Sequence, residues 1–122
     1  MTPFGARLRA MRQARGLTLS DMARHLGVTP AYLSALEHGK RGRPPWHLTQ
    51  SIIAYFNVIW DEAEELALLA ELSHPRVTVD TAGLSPEATE LANRLARDID
   101  KLSRDDAADL VQRVKRLAGG GK

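Results

Sequence analysis

Apolar residues recur at helical spacing in five short runs over the first 72 residues of this chain. The runs predict helices over 4–15, from Thr18 or Leu19 to Gly27, from Pro30 to about Gly39, over 46–56 and over 61–72. Local signals mark the ends, since Thr29-Pro30 is a strong helix start and Gly27 a typical C-cap. Residues 40–45 carry Gly and Pro and predict a basic loop. We therefore predict an all-α domain of five helices over residues 1–72.

The pattern changes after residue 72. Residues 73–83 predict a linker or a short extended segment, because Val77-Thr78-Val79 alternates as a strand does; an edge strand that pairs with a second copy is the alternative. Residues 84–118 predict two amphipathic helices, the first with heptad spacing and the second opened by a capping-box pattern at Ser103 and Asp106. Residues 119–122 are predicted to be a flexible tail. Two helices of ~15 residues are marginal alone, so their apolar faces must pack on the first domain, on each other or on a second subunit.

Charge is distributed unevenly between the two parts of the chain. Residues 1–47 carry eight Lys/Arg against two Asp/Glu, a net charge of +6, whereas residues 48–122 carry nine against thirteen, a net charge of −4. An asymmetry of this kind indicates that the N-terminal part meets a polyanion.

Composition and motifs argue against several classes of function. The chain has no cysteine, which excludes disulfides, thiolate metal sites and cysteine nucleophiles. Its four histidines lack metal-ligand spacing, and it has neither a nucleophile elbow nor a phosphate-binding glycine loop. We therefore expect no metal, no cofactor and no enzymatic activity. No signal-peptide pattern and no apolar run of roughly 20 residues is present, so we expect no membrane contact and a cytoplasmic location.

Residues 17–39, with the sequence LTLSDMARHLGVTPAYLSALEHG, fit a helix-turn-helix. Ala23 is small enough to let the second helix cross closely, Gly27 makes the turn, Val28 fills the core, and Leu33 and Leu36 face inward. The residues left outward or near the start of the second helix are Thr29, Ala31, Tyr32, Ser34, Ala35 and His38. Two short helices of this kind, followed by a basic loop, are suited to the DNA major groove.

At these residues the chain resembles the Xre-type, phage-repressor-like helix-turn-helix family, in the pattern R-x-x-R-x-x-x-G-L-T-L-x-x-M-A-x-x-L-G-V-T-x-x-Y-L-S-x-L-E-x-G within residues 4–72. The resemblance implies that the third helix enters the major groove, with base contacts from Ala31, Tyr32 and Ala35. It implies phosphate or groove contacts from Thr29, Ser34 and the 40–43 loop. The full predicted DNA-binding set is Thr18, Ser20, Thr29, Ala31, Tyr32, Ser34, Ala35, His38, Lys40, Arg41 and Arg43.

The resemblance also suggests an internal ion pair between Arg12 and Glu37, with a DNA-facing role as the alternative for Arg12. The recognition helix departs from the family pattern. Family members often carry Gln, Arg or Asn at the recognition positions, whereas Pro30, Ala31 and Ala35 cannot form bidentate base contacts. Readout must then rely on Tyr32, Ser34 and His38, on contacts with thymine methyl groups and on DNA shape.

Two functions fit these observations. The first is a sequence-specific transcriptional regulator, acting as a repressor, that binds a palindromic operator in double-stranded DNA as a homodimer. The C-terminal helices are the candidates for the dimer contact, with the 77–79 segment and the fifth helix as alternatives. The second is an antitoxin or anti-activator whose C-terminal helices bind a partner protein.

Overall fold

The computed structural model describes residues 1–40 and 43–119, and within them it is entirely helical, which confirms the predicted fold class. The helices are α1 (Pro3–Ala14), α2 (Leu19–Leu26), α3 (Pro30–Glu37), α4 (Trp46–Phe56), α5 (Trp60–Glu71), α6 (Pro86–Asp98) and α7 (Arg104–Ala118), with a 3₁₀ turn at Ile99–Lys101. The chain divides into two compact units, Met1–Val77 and Thr78–Lys122. The first unit holds α1 to α5, and the second holds α6, the 3₁₀ turn and α7.

The five helices of the first unit share one apolar core. α1 packs against α3 and α5, α2 packs against α3 and α4, and α4 packs against α5. The buried apolar side chains are Phe4, Leu8, Met22, Ala23, Leu33, Leu36, Leu48, Ile52, Phe56, Leu66 and Ala70. Each large apolar side chain buried in this way stabilises the fold by about 1.5–3 kcal/mol before the entropy of ordering it is counted.

Local capping determines where these helices begin and end. The hydroxyls of Thr2, Thr18 and Thr29 each accept a hydrogen bond from the backbone N–H three residues later, as an N-cap does. Gly27 and Asn57 end α2 and α4 in the left-handed region, with φ of 73° and 56°. The predicted starts of α2, α3 and α4 and the predicted ends of α2 and α4 are confirmed, whereas α3 ends at Glu37, shortly before its predicted end.

Ser73 joins the end of α5 to the start of α1. Its side chain is buried, and its hydroxyl accepts a hydrogen bond from the Phe4 N–H at 3.0 Å and donates one to the Leu69 carbonyl at 2.6 Å. The contacts of the first unit therefore continue past residue 72, into the segment where the sequence predicts the linker.

Two tryptophans lie on the surface of the first unit. Trp46 and Trp60 are 76% and 82% exposed, so neither ring packs in the apolar core. Trp60 also begins α5 one residue earlier than predicted, with a φ of 57°. A non-glycine residue in this region costs about 1–2 kcal/mol, so the bend before α5 is a strained one.

The second unit begins with a segment that is neither helix nor strand and continues as two capped helices. Residues 77–79 form no strand among the described residues, because no neighbouring strand is present to complete a ladder. The capping box is confirmed: the Ser103 hydroxyl accepts from the Asp106 N–H at 3.0 Å, and the Asp106 carboxylate accepts from the Ser103 N–H at 3.1 Å. No residue of α6 or α7 is buried.

None of the helices in the described ranges is both long enough and apolar enough to cross a membrane.

Gly5 sets how closely α1 approaches α3. A Cβ at this position would lie 2.8 Å from the Leu36 carbonyl oxygen and closer still to the Glu37 carbonyl. We therefore expect Gly5→Ala to lower the free energy of unfolding by about 1–3 kcal/mol through overpacking, although Ala is the better helix former by about 1 kcal/mol. Thermal or urea unfolding of the full chain measures this.

Ala10, on the exposed side of the same helix, supplies the matched control. There the reverse change, Ala10→Gly, is expected to destabilise by roughly 1 kcal/mol from helix propensity alone. A Gly5→Ala protein more stable than the wild type would show that α1 and α3 are not in contact at this point.

Candidate nucleic-acid interface

The turn between α2 and α3 has the geometry of a helix-turn-helix. Gly27 takes the left-handed conformation, and the Val28 N–H donates to the Ala23 carbonyl at 3.0 Å. Thr29 then caps α3 by accepting from the Tyr32 N–H at 3.0 Å, and Pro30 occupies the first turn. Ala23, Leu33 and Leu36 are fully buried, so α3 is held against the core along one side. Its other side is left to meet a ligand.

The predicted DNA-binding residues divide by exposure. The exposed ones are Thr18, Ser20, Thr29, Ala31, His38, Lys40 and Arg43, and the half-buried ones are Tyr32, Ser34 and Ala35. Arg41 lies outside the described residues. The hydroxyls of Thr18 and Thr29 are already engaged as helix caps, so their first role is to begin α2 and α3. Because each hydroxyl accepts in its cap, its own hydrogen is still available to donate to a phosphate.

His38 ends the recognition helix with a fixed ring orientation. Its Nδ1 lies 2.8 Å from the Ser34 carbonyl oxygen, and because a carbonyl only accepts, Nδ1 carries the hydrogen and donates it. Nε2 is then the ring nitrogen left to contact a ligand. With Ala31 and Ala35 on the same helix, the presented face has few hydrogen-bond donors.

A buried ion pair holds α3 to α1. The Arg12 guanidinium donates from Nε to Glu37 Oε2 at 3.0 Å and from Nη2 to Oε1 at 3.2 Å, in a bidentate arrangement, and from Nη1 to the Leu17 carbonyl at 2.9 Å. The two side chains are only 13% and 1% exposed. The predicted Arg12–Glu37 pair is therefore confirmed, and the alternative of a DNA-facing Arg12 is wrong.

Internal contacts also occupy two other cations of the basic N-terminal part. Arg7 pairs with Glu65 at 2.7 Å, and Arg15 donates to the Phe56 carbonyl at 2.5 Å while its guanidinium lies 5.0 Å from the centre of the Phe56 ring. The sequence cannot reveal these contacts, because they join residues 58 and 41 positions apart. The net charge of residues 1–47 therefore overstates what is free to meet a polyanion.

Two of the other cations follow the C-terminal end of α3 in the chain. Lys40 and Arg43, on either side of the two residues not described, are exposed, and Arg43 lines the same surface pocket as the exposed Trp46 at the start of α4. Sequence reasoning places Arg43 here but misses the exposed Trp46, for which the only signal is its position directly after the loop.

No group of three or more His, Asp or Glu side chains that could hold a metal ion occurs in the part of the chain that the structure describes.

The fold and this turn define the class of the protein. Residues 3–69, more than half of the chain, match the family model described as the helix-turn-helix domain. The chain therefore belongs to the helix-turn-helix domain family.

Two curated relatives from Bacillus subtilis (strain 168) resemble the same region. One is named an uncharacterized HTH-type transcriptional regulator, RghRB, and is 38% identical over 61 residues, which cover 50% of this chain and 44% of that protein. The other is named the HTH-type transcriptional repressor RghR and is 48% identical over 44 residues, which cover 36% of this chain and 33% of that protein. The similarity thus spans less than half the length of each relative, and no solved structure matches significantly. Family and relatives together support DNA-binding transcriptional regulation.

The burial of the Arg12–Glu37 pair predicts that Glu37→Gln lowers the free energy of unfolding much more than Glu65→Gln does. Glu37→Gln keeps the shape of the side chain but leaves the guanidinium without its countercharge in a buried position. We expect this change to lower the free energy of unfolding by about 3–5 kcal/mol, as breaking one side of a buried pair does. Chemical unfolding of the full chain measures it.

Glu65→Gln is the matched control, because it removes the same charge from the pair with Arg7, whose side chains are 39% and 52% exposed. An exposed pair contributes about 1 kcal/mol or less, so this protein should unfold close to the wild type. Equal losses from the two substitutions would contradict the structural role given to Glu37.

Proposed function

We propose that this protein is a transcriptional repressor that binds a palindromic operator in double-stranded DNA as a homodimer, with α3 in the major groove. The observation that carries the proposal is the helix-turn-helix itself, whose recognition helix is held by buried residues on one side and exposed on the other. The repressor assignment rests on the name of one relative, RghR. The protein acts by occupying DNA, and no enzymatic step is proposed.

Readout on α3 follows from what its exposed side presents. Ala31 and Ala35 fit against thymine methyl groups, which favours A·T pairs at those positions. Tyr32, Ser34 and the Nε2 atom of His38 supply the polar contacts. Lys40, Arg41 and Arg43 contact phosphates and fix the register of the helix on the duplex, with no sequence information of their own.

Two copies are needed because one short recognition helix with few donors makes too few specific contacts. Paired copies would place their α3 helices in successive major grooves, about 34 Å apart, so that the two half-sites form an inverted repeat. The second unit is the proposed dimer contact, since α6 and α7 carry apolar residues and bury none of them.

Salt dependence tests the phosphate contacts. Replacing Lys40 and Arg43 by Gln should weaken binding to all DNA sequences alike and reduce the slope of log K against log salt concentration by about 0.9 per lost contact, nearly 2 for both. Titrations of labelled duplex at several salt concentrations measure the slope. Arg97→Gln is the control, since this exposed arginine of α6 has no proposed contact with DNA and should leave the slope unchanged. An unchanged slope in the double variant would mean that neither Lys40 nor Arg43 contacts a DNA phosphate.

Selection of binding sites from random duplexes tests the function as a whole. The full chain should enrich inverted repeats whose half-site centres lie about 10 base pairs apart. A chain ending at Val77, which keeps Ser73 and the entire first unit, should bind a single half-site as the full chain does. It should bind the inverted repeat roughly 100-fold more weakly, because linkage of two binding units is lost.

Equal affinity of the truncated and full chains for the inverted repeat would contradict the dimer role of the second unit. Enrichment of no sequence would contradict the proposed function. The second candidate, an antitoxin or anti-activator, rests on the same unburied helices, and a stoichiometric protein partner that copurifies with the native chain and is lost on truncation at Val77 would favour it.

A further inference from the structure

Four apolar residues of α7 form a stripe along one side of the helix, and their spacing is the same from either end of the helix. Its apolar side chains at coiled-coil spacing are Ala107, Leu110, Val114 and Leu117, separated by three, four and three residues. Leu110, Val114 and Leu117 are 38%, 59% and 80% exposed and Ala107 is half-buried, so the described residues cover the stripe only in part, and least toward its C-terminal end. A stripe with this spacing can meet a copy of itself in either a parallel or an antiparallel orientation.

The charges of α7 choose between these orientations. The first half of the helix carries Asp105, Asp106 and Asp109 together with Arg104, a net charge of −2, and the second half carries Arg113, Lys115 and Arg116, a net charge of +3. The dipole of the helix favours acidic residues in the first turn and basic residues in the last, but its effect fades within those turns. Asp109 and Arg113 lie further in and pair with each other at 3.5 Å, but an exposed pair of this kind contributes about 1 kcal/mol or less and leaves the two halves of the helix opposite in net charge. A parallel copy would place acidic half beside acidic half, whereas an antiparallel copy places each acidic half beside a basic one.

We infer that α7 pairs with α7 of a second copy of this chain in an antiparallel arrangement, with the two-fold axis near residue 112. This inference rests on the proposed homodimer and specifies its contact. Ala107 then packs against Leu117 of the second copy, and Leu110 against Val114 of the second copy, so that small and large side chains alternate along the seam. The occupant is a second copy and not a strongly charged partner, because α7 carries both signs in nearly equal number.

Disulfide mapping tests the orientation, and the absence of native cysteine makes every introduced thiol unique. Residues 107 and 117 are about 15 Å apart along one helix, whereas a disulfide needs Cα atoms within roughly 7 Å. Full-length Ala107→Cys and Leu117→Cys proteins should therefore crosslink poorly alone. After mixing, subunit exchange and mild oxidation, the 107–117 disulfide should form in roughly tenfold greater yield, as measured on non-reducing gels and by mass spectrometry.

Gln112→Cys is the matched control, because residue 112 lies on the side of α7 opposite the stripe. This protein should form no disulfide with a second copy of itself, with Ala107→Cys or with Leu117→Cys. Efficient crosslinking of Ala107→Cys with itself would show a parallel pair and overturn the inference. A chain that sediments as a dimer without the 107–117 disulfide would place the contact elsewhere.

DNA binding is measured separately, so the inference and the proposed function can fail independently. If the chain dimerises and binds inverted repeats but forms no 107–117 disulfide, the proposed function is supported and the α7 contact is contradicted. If it forms the disulfide but enriches no DNA sequence, the α7 contact is supported and the proposed function is contradicted. A monomeric chain overturns the inference whatever its affinity for DNA.

Discussion

The position of the recognition helix depends on one contact between α1 and α3. Arg12 and Glu37 form a bidentate ion pair that is almost removed from water, and Gly5 lets the two backbones approach at the end of α3. A buried carboxylate is tolerated only where its charge and its hydrogen bonds are satisfied, so these two helices have one favourable arrangement. The Thr29 cap and the Gly27 turn then fix how α3 meets α2.

Stability and recognition are assigned to different residues of the same short helix. Leu33, Leu36 and Glu37 are buried and hold α3, whereas Ala31 and His38 are exposed and make no contribution to the core. The same separation applies to the arginines. Arg12 serves an internal contact although the composition counts it with the cations available to a polyanion. Charge counting alone therefore identifies the basic part of the chain but not its free cations.

The helices could be predicted because their signals are local. Thr29-Pro30, Gly27 and the Ser103–Asp106 capping box act within three or four residues, and the structure confirms each of them. Exposure of Trp46 could not be predicted, since an aromatic residue on an apolar run is compatible with both sides of a helix until the packing partner is known. The contact between Arg15 and the Phe56 carbonyl is likewise a product of packing across 41 residues. At the candidate site, the sequence predicts the helices, the turn and the buried residues that hold α3. The contacts with DNA stay predictions.

Ser73 brings the beginning and the end of the five-helix bundle close together. The Ser73 hydroxyl accepts from the Phe4 N–H and donates to the Leu69 carbonyl, so the first turn of α1 lies next to the end of α5. A unit whose ends meet can be placed inside another chain without forcing the host segments apart. Because Ser73 holds the two ends of the five-helix bundle together, this helix-turn-helix domain is suited to insertion into another chain.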